Sequence, residues 1–346
     1  MDRRIIINIT TALLISISVI AIISSFMGEE VSINEILDRE VIWLILLCLA
    51  ISIGSILLDG LRICIVVSAL REKIRYIDAV ESCLMYSFFS AITPSSMGGQ
   101  PFQIYFLAKK GIKSEAAANI ALFRTFEYLL VVLGIDIYSV IFIIPKLSNW
   151  SVGKTMIILG FASSVFSTGL TWITMKKPEI YKYLIVKLKR IKKLTNFIER
   201  WEDKTYTWID SLKLSVNSLL KNKKAVALDL FLMLISVLLY SYILFLPVIR
   251  LTGIKINFLT FFSVQTLLSS LATYIPTPGA SGGLEVILYS SFKSFVVSPR
   301  SLLLGITIYR IATYYIIILG GIPLILKNQK LLWREKGSAG DTDTSA

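Results

Sequence analysis

Two short stretches hold the residues best suited to chemistry. One is Thr277-Pro278-Gly279-Ala280-Ser281-Gly282-Gly283, the other Thr93-Pro94-Ser95-Ser96-Met97-Gly98-Gly99, and both read Thr-Pro, three variable residues, Gly-Gly. Each is followed by an apolar segment carrying one arginine, and Arg124, Tyr128 and Gly134 recur with the same spacing as Arg310, Tyr314 and Gly320. Proline cannot donate the helical bond and paired glycines tolerate conformations that other residues avoid, so the backbone opens at both stretches. A guanidinium holds phosphate oxygens through paired donors. Arg124 and Arg310, beside opened backbone N–H groups, are therefore suited to a phosphate-bearing anion, with Glu127 and Glu285 as neighbouring acids. Glu285 could pair with a cationic group or carry a proton; alternatively it complements the N-terminus of the helix it begins. The arginines could likewise tie segments together through buried pairs. Tyr128 and Tyr314 are candidates by symmetry, although such tyrosines more often pack.

These residues lie in a strongly apolar chain. Of 346 residues, 55% are hydrophobic and 17% charged, and apolar runs of 20 or more place the chain in a bilayer. Histidine is absent, which excludes His-based general-base and His metal-site chemistry. Cys48, Cys64 and Cys83 are isolated in apolar segments, without disulfide or metal-ligand spacing. There is neither a cluster of acids nor a nucleophile with its base. No catalytic residue, metal or cofactor is expected, and the chain reads as a non-enzyme. Asp341-Thr342-Asp343 matches a metal-binding pattern only as text, in a terminal segment.

The positioning elements follow from run lengths. Residues 5–26, after Asp2-Arg3-Arg4, read as an uncleaved first span, because a signal peptide has an apolar core of only about 7–15 residues. Residues 28–40 hold five acids and one arginine and are expected outside the cytoplasm. Residues 41–70 form a second span of about 45 Å at ~1.5 Å per residue, ending in the basic Arg71-Glu72-Lys73-Ile74-Arg75. The run 77–92 covers about 24 Å before the first break, and 100–108 only about 14 Å, against a hydrocarbon core of ~30 Å. That second piece cannot cross, so a re-entrant hairpin is expected, returning to Lys109, Lys110 and Lys113. Further spans are read at 114–144, 154–175, 225–248 and 301–326, and a second hairpin at 258–275 and 284–297. Residues 176–224, with 14 Lys or Arg and five acids, have apolar residues near a 3.6 period. They read as basic amphipathic helix on anionic lipid headgroups, in preference to RNA or a protein partner. The tail 327–346 is expected to be cytoplasmic and disordered. Asp59, Glu81, Asp136 and Asp229 are expected in structural or interfacial roles.

With this topology 26 of the 36 basic residues fall on the cytoplasmic side, so the net charge of +13 reflects the positive-inside rule and not nucleic-acid binding. Both termini are cytoplasmic. The first hairpin enters from the cytoplasm and the second from outside, so the repeats, about 77–144 and 258–326, are inverted. The expected fold is an all-α polytopic membrane protein with six long transmembrane helices and two re-entrant hairpins in an inverted-topology repeat. Such architecture serves secondary transporters, whose opened backbone forms the substrate site.

The run Tyr274-Ile275-Pro276-Thr277-Pro278-Gly279-Ala280-Ser281-Gly282-Gly283-Leu284-Glu285 resembles the Pro-Thr-Pro-Gly-Gly-x-Gly-x-x-Glu signature of the flippase-like membrane domain of lysylphosphatidylglycerol synthases and their stand-alone relatives. Gly98-Gly99-Gln100-Pro101, with Leu122-Phe123-Arg124, resembles that family's other signature; the likeness covers about 5–326. It implies a lipid translocator in the cell membrane, moving an anionic or aminoacylated phospholipid or lipid-linked intermediate between leaflets. Only 327–346 follow the last span, so a stand-alone member without the synthase domain is expected. Where family members often have an acid and an arginine in the first signature, this chain has Gln100 and Gln103, which puts lysyl-lipid specificity in question. The substrate-binding candidates are Arg124, Arg310, Glu127, Glu285, Tyr128 and Tyr314, with Thr93, Pro94, Gly98, Gly99, Gln100 and Gln103 at the first break and Thr277, Pro278, Gly279, Gly282 and Gly283 at the second. Two alternatives stay open: a transporter of a small soluble solute, and a non-catalytic membrane partner of a lipid-modifying enzyme.

Overall fold

The computed structural model describes residues 36–146, 154–177 and 221–328, apart from 273 and 297, with isolated positions 10, 179, 183 and 219. The expected first span at 5–26, most of the basic segment 176–224 and nearly all of the tail lie outside the described residues. The described chain is helical, with no strand beyond one isolated bridge.

Local signals set the helix ends. Helix α1 (Arg39–Ala69) begins where the Asp38 carboxylate accepts the Glu40 N–H at 2.8 Å, and ends before Arg71, whose φ is +60°. Helix α2 (Tyr76–Ile92) stops at Thr93, extended at φ −114° and ψ 147°, as the residue before a proline prefers. Helix α3 (Gly99–Lys109) follows, then α4 (Ser114–Tyr138), which continues through a π-turn at Ser139–Ile143. Helix α5 is Lys154–Lys176, and α6 is Lys223–Thr252, closed by left-handed Gly253, whose N–H reaches the Ile249 carbonyl at 3.2 Å. Helices α7 (Phe258–Ala272) and α8 (Gly283–Phe292) precede α9 (Pro299–Lys327), which opens with Pro299 in its first turn and the Ser298 hydroxyl accepting from Ser301 N–H. A second π-turn, Ile311–Tyr315, interrupts α9.

Among the described residues, five helices are long and apolar enough to cross a membrane: α1, α4, α5, α6 and α9. Their bounds fall within a few residues of those read from the sequence. Lipid is as apolar as leucine, so packing between such helices rests on close contact and hydrogen bonds. α5 illustrates this on its small-residue face. Ser164 hydrogen-bonds the Asp136 carboxylate of α4 and meets Ser270 of α7 at 3.0 Å, and Ser163 donates to the Ser270 carbonyl at 3.3 Å. Gly160 lies directly against the Leu267 carbonyl.

The short helices form two hairpins. α3 folds back along α2, with the Phe89 and Phe102 rings stacked at 3.4 Å near the tip and Lys110 reaching Asp78 at 2.7 Å at the base. At that base the hydrogen bond from Arg75, opposed by burial and helped by Lys110, pulls the Asp78 carboxyl down to about 2. α8 folds back along α7, with Phe261 stacked on Phe292 at 4.3 Å. The tips meet: Pro94 and Pro278 form an antiparallel bridge. Helix α9 runs past both hairpins. Leu302, Leu303 and Ile306 share a core with Phe261 and Phe292, while Ile318, Leu324 and Ile325 share one with Phe88, Phe89 and Phe106. Lys327, at the end of α9, reaches Glu81 near the base of the first hairpin at 2.5 Å. The two hairpins therefore pack on opposite halves of α9, with their tips in contact at its middle.

Candidate functional site

The two breaks share one backbone conformation. Ser95 and Ser96 have φ of +51° and +56°; Gly279 and Ala280, at the corresponding positions, have +56° and +54°. In each break the N–H groups of the second and third variable residues make the same bonds. Ser96 and Ala280 donate to the Thr93 and Thr277 carbonyls at 3.2 and 3.1 Å, and Met97 and Ser281 donate to the Pro94 and Pro278 carbonyls at 3.2 and 3.0 Å. Three of the four left-handed residues carry a side chain, and each pays about 1–2 kcal/mol for that conformation. Strain of this kind persists only where the surroundings hold it, and it gathers at functional sites. The threonines differ: Thr93 Oγ1 accepts from Gly98 N–H at 2.9 Å and donates to the Phe89 carbonyl, while Thr277 Oγ1 donates to the Ser281 carbonyl at 2.7 Å.

Close approach requires glycine in both breaks, at Gly99 and Gly279 among others. A Cβ on Gly99 would meet the Ser90 hydroxyl and the Tyr86 carbonyl, and one on Gly279 would meet the Tyr314 ring. Gly279→Val adds a β-branched side chain to a left-handed residue against that ring. It is expected to destabilise by about 2–5 kcal/mol, read as a lowered thermal midpoint in detergent. Ser96→Gly, which removes strain at an exposed residue with φ +56°, is expected to leave the midpoint unchanged or raise it.

Arg310 stands where the tips meet. Its Nε lies 2.8 Å from Glu285 Oε1, an ion pair by distance without hydrogen-bond alignment, and its Nη1 donates weakly to the Gly279 carbonyl at 3.4 Å. Nη2 is buried and has no acceptor among the described residues. Glu285 Oε2 accepts from Gly282 N–H at 2.8 Å, so this acid both caps α8 and pairs with Arg310. Tyr314 packs under the guanidinium at 5.1 Å, and its hydroxyl donates to the carbonyls of Ala91 and Pro278 at 3.3 and 3.5 Å, touching both tips.

Arg124, the repeat partner of Arg310, lies elsewhere. Its Nη2 is 3.0 Å from Asp59 of α1, its Nη1 contacts Cys83 of α2 at 3.6 Å, and its Nε is buried without an acceptor among the described residues. Glu127, one turn on, pairs at 3.2 Å with Arg62, which also holds Asp59 at 2.9 Å and Asp229 at 2.8 Å. Gln100 donates to the Thr125 hydroxyl at 2.7 Å, tying α3 to α4 beside Arg124. Gln103 is buried, with its Nε2 unpartnered among the described residues. Tyr128 faces outward at 45% exposure while Tyr314 is buried, so the symmetry of sequence does not carry over to these two environments.

The structure thus groups Thr93, Pro94, Gly98, Gly99, Thr277, Pro278, Gly279, Gly282, Gly283, Glu285, Arg310 and Tyr314 around the joined tips. It sets Arg124 and Glu127 in a second group with Arg62, Asp59 and Asp229. Sequence reasoning gave Asp59 and Asp229 only structural or interfacial roles and gave Arg62 none. The available signal was an arginine deep inside a 31-residue apolar helix, three residues after an aspartate. Among the described residues no group of three or more His, Cys, Asp or Glu is arranged to hold a metal ion. A cavity of about 400 Å³, lined by Cys64, Asn222 and Lys224 among others, opens between the end of α1 and the start of α6, apart from both breaks.

Residues 9–321 match the family described as the lysylphosphatidylglycerol synthase TM region. A "UPF0104 membrane protein" of Archaeoglobus fulgidus is 25% identical over 309 residues, which cover 88% of this chain and 92% of that protein.

Proposed function

This chain belongs to the lysylphosphatidylglycerol synthase transmembrane family, and from that premise we propose that it is a flippase-like translocator of an anionic or aminoacylated phospholipid or lipid-linked intermediate. The observation that carries this reading is Arg310 at the joined tips. Its charge is paired by Glu285, yet one buried guanidinium donor has no acceptor among the described residues. A buried charged donor without a partner is costly, and a phosphate oxygen is an apt acceptor for it. Arg124, with its own unpartnered Nε, is the second contact.

In this reading the hairpins are re-entrant and inverted. Their packing on opposite halves of α9, tips together, supports it. So does the gathering of Lys110, Lys113 and Lys327 with Asp78, Glu72 and Glu81 at the base of the first hairpin, the end taken as cytoplasmic. Six spans then result when 5–26 is included, both termini lie in the cytoplasm, and the protein sits in the cell membrane. The segment 176–224 gathers anionic lipid there. In this reading the chain acts without catalysis.

A photoactivatable group on the headgroup of phosphatidylglycerol, in liposomes holding the full chain, tests this reading. Crosslinks are expected in peptides containing 93–99, 277–283 or Arg310. Label confined to the outer faces of α1, α5 and α6 would place lipid only around the protein and overturn the proposal.

A further inference from the structure

The charges around Arg62 do not balance, two of the acids being buried and the third, Asp59, partly exposed. Two guanidiniums, Arg62 and Arg124, meet three carboxyl groups, Asp59, Glu127 and Asp229. Arg62 is fully buried and spreads its three nitrogens over one oxygen of each acid. Asp59 Oδ1 is well supplied: besides Arg62 it takes Arg124 at 3.0 Å and the Ser236 hydroxyl at 3.2 Å. Glu127 and Asp229 are not. Both are almost wholly buried, and Glu127 Oε1 and Asp229 Oδ2 receive no hydrogen bond among the described residues. Both carboxyls are held by one guanidinium, Arg62, through Nη2 at 3.2 Å and Nε at 2.8 Å.

Two ionised carboxylates buried on one guanidinium, away from water, repel. One proton held by the pair supplies a donor at a bare oxygen and brings the five groups to neutrality. Among the described residues the neighbouring groups offer no other cation: α2 contributes Cys83 and Tyr86, and α6 contributes Tyr240. We propose that Glu127 and Asp229, the two buried acids on Arg62, form a proton-binding site that holds one proton at its bare oxygens, Glu127 Oε1 or Asp229 Oδ2. An anion at Arg124 adds negative charge beside the same cluster and so favours the protonated pair. When the anion leaves, the proton passes to water. By linkage the effect is reciprocal, and the proton strengthens anion binding. This coupling rests on the reading of Arg124 as a headgroup contact; the proton site itself rests on the charge count and the two bare oxygens.

Infrared spectra of the full chain in phosphatidylglycerol and phosphatidylcholine liposomes, taken across pH, read the carbonyl stretch of a protonated carboxyl. A band is expected at neutral pH that fades in alkaline solution. It should be lost in Glu127→Gln and in Asp229→Asn but kept in Asp136→Asn, which removes a buried acid outside the cluster. In the same liposomes, exchange of labelled phosphatidylglycerol is expected to fall at least tenfold from neutral to alkaline pH, and Glu127→Gln should flatten that profile. A spectrum indifferent to both substitutions overturns the proton site, and lipid exchange at an unchanging rate would then leave the headgroup reading intact. If the band follows the pair but no lipid moves at any pH, the proton site stands and the translocator reading fails.

Discussion

Arg310→Lys is expected to leave the protein folded while lowering lipid exchange by roughly ten- to hundredfold. Lysine keeps a positive charge near Glu285, so the buried acid stays compensated. What lysine lacks is the planar fork. In Arg310 that fork serves Glu285, the Gly279 carbonyl and the unpartnered Nη2 position from one rigid group. A hydrogen bond to a charged group contributes about 1.5–3 kcal/mol, which corresponds to the stated loss if the missing donor is the one that meets phosphate. Arg310→Ala tests something else. It leaves Glu285 buried without its cation and is expected to destabilise by about 3–5 kcal/mol. The lysine variant therefore separates the two roles. If Arg310 only ties α9 to the second hairpin, lysine supports exchange at close to the wild-type rate.

The largest effect on folding is expected at Arg62. Arg62→Ala removes the cation shared by Asp59, Glu127 and Asp229, at 2.9, 3.2 and 2.8 Å, and leaves Arg124 as the remaining cation in the cluster. Removing one partner of a single buried pair costs about 3–5 kcal/mol, and here Glu127 and Asp229 both lose theirs while Asp59 keeps Arg124 at 3.0 Å. Loss of monodisperse protein in detergent is expected. Arg62→Met combined with Glu127→Gln and Asp229→Asn leaves Asp59 with Arg124, and is expected to recover much of the folded yield. Recovery distinguishes a charge imbalance from loss of the arginine's packing, because methionine occupies the site in the triple variant while the excess acids are gone. An Arg62→Ala protein with wild-type yield and thermal midpoint would show that water reaches the cluster freely.

Much of this architecture was legible in the sequence because it is written in local signals. Thr93-Pro94 and Thr277-Pro278 mark breaks that proline and glycine dictate, and the arms around them are too short to span ~30 Å of hydrocarbon. The helix ends at Gly253 and Pro299 are likewise announced by residue type. What the sequence could not show is contact between distant segments. Nothing local says that Pro94 meets Pro278, or that Tyr314 touches both tips. Arg62 takes its partners 65 and 167 positions away, on α4 and α6. The repeat also misled in one respect. Arg124 and Arg310 share their spacing from Tyr and Gly, but Arg310 stands at the tips whereas Arg124 turns to Asp59 and Cys83. The Gln100 and Gln103 replacements fit this asymmetry, since Gln100 now holds α4 through Thr125.

The measurement closest to the central claim is leaflet exchange of labelled phosphatidylglycerol by the purified full chain in liposomes, against protein-free liposomes and a zwitterionic lipid. The account predicts exchange of the anionic lipid well above both controls, and its loss in Arg310→Lys protein that remains folded. No exchange above protein-free liposomes, from folded protein and across several anionic headgroups, would contradict it.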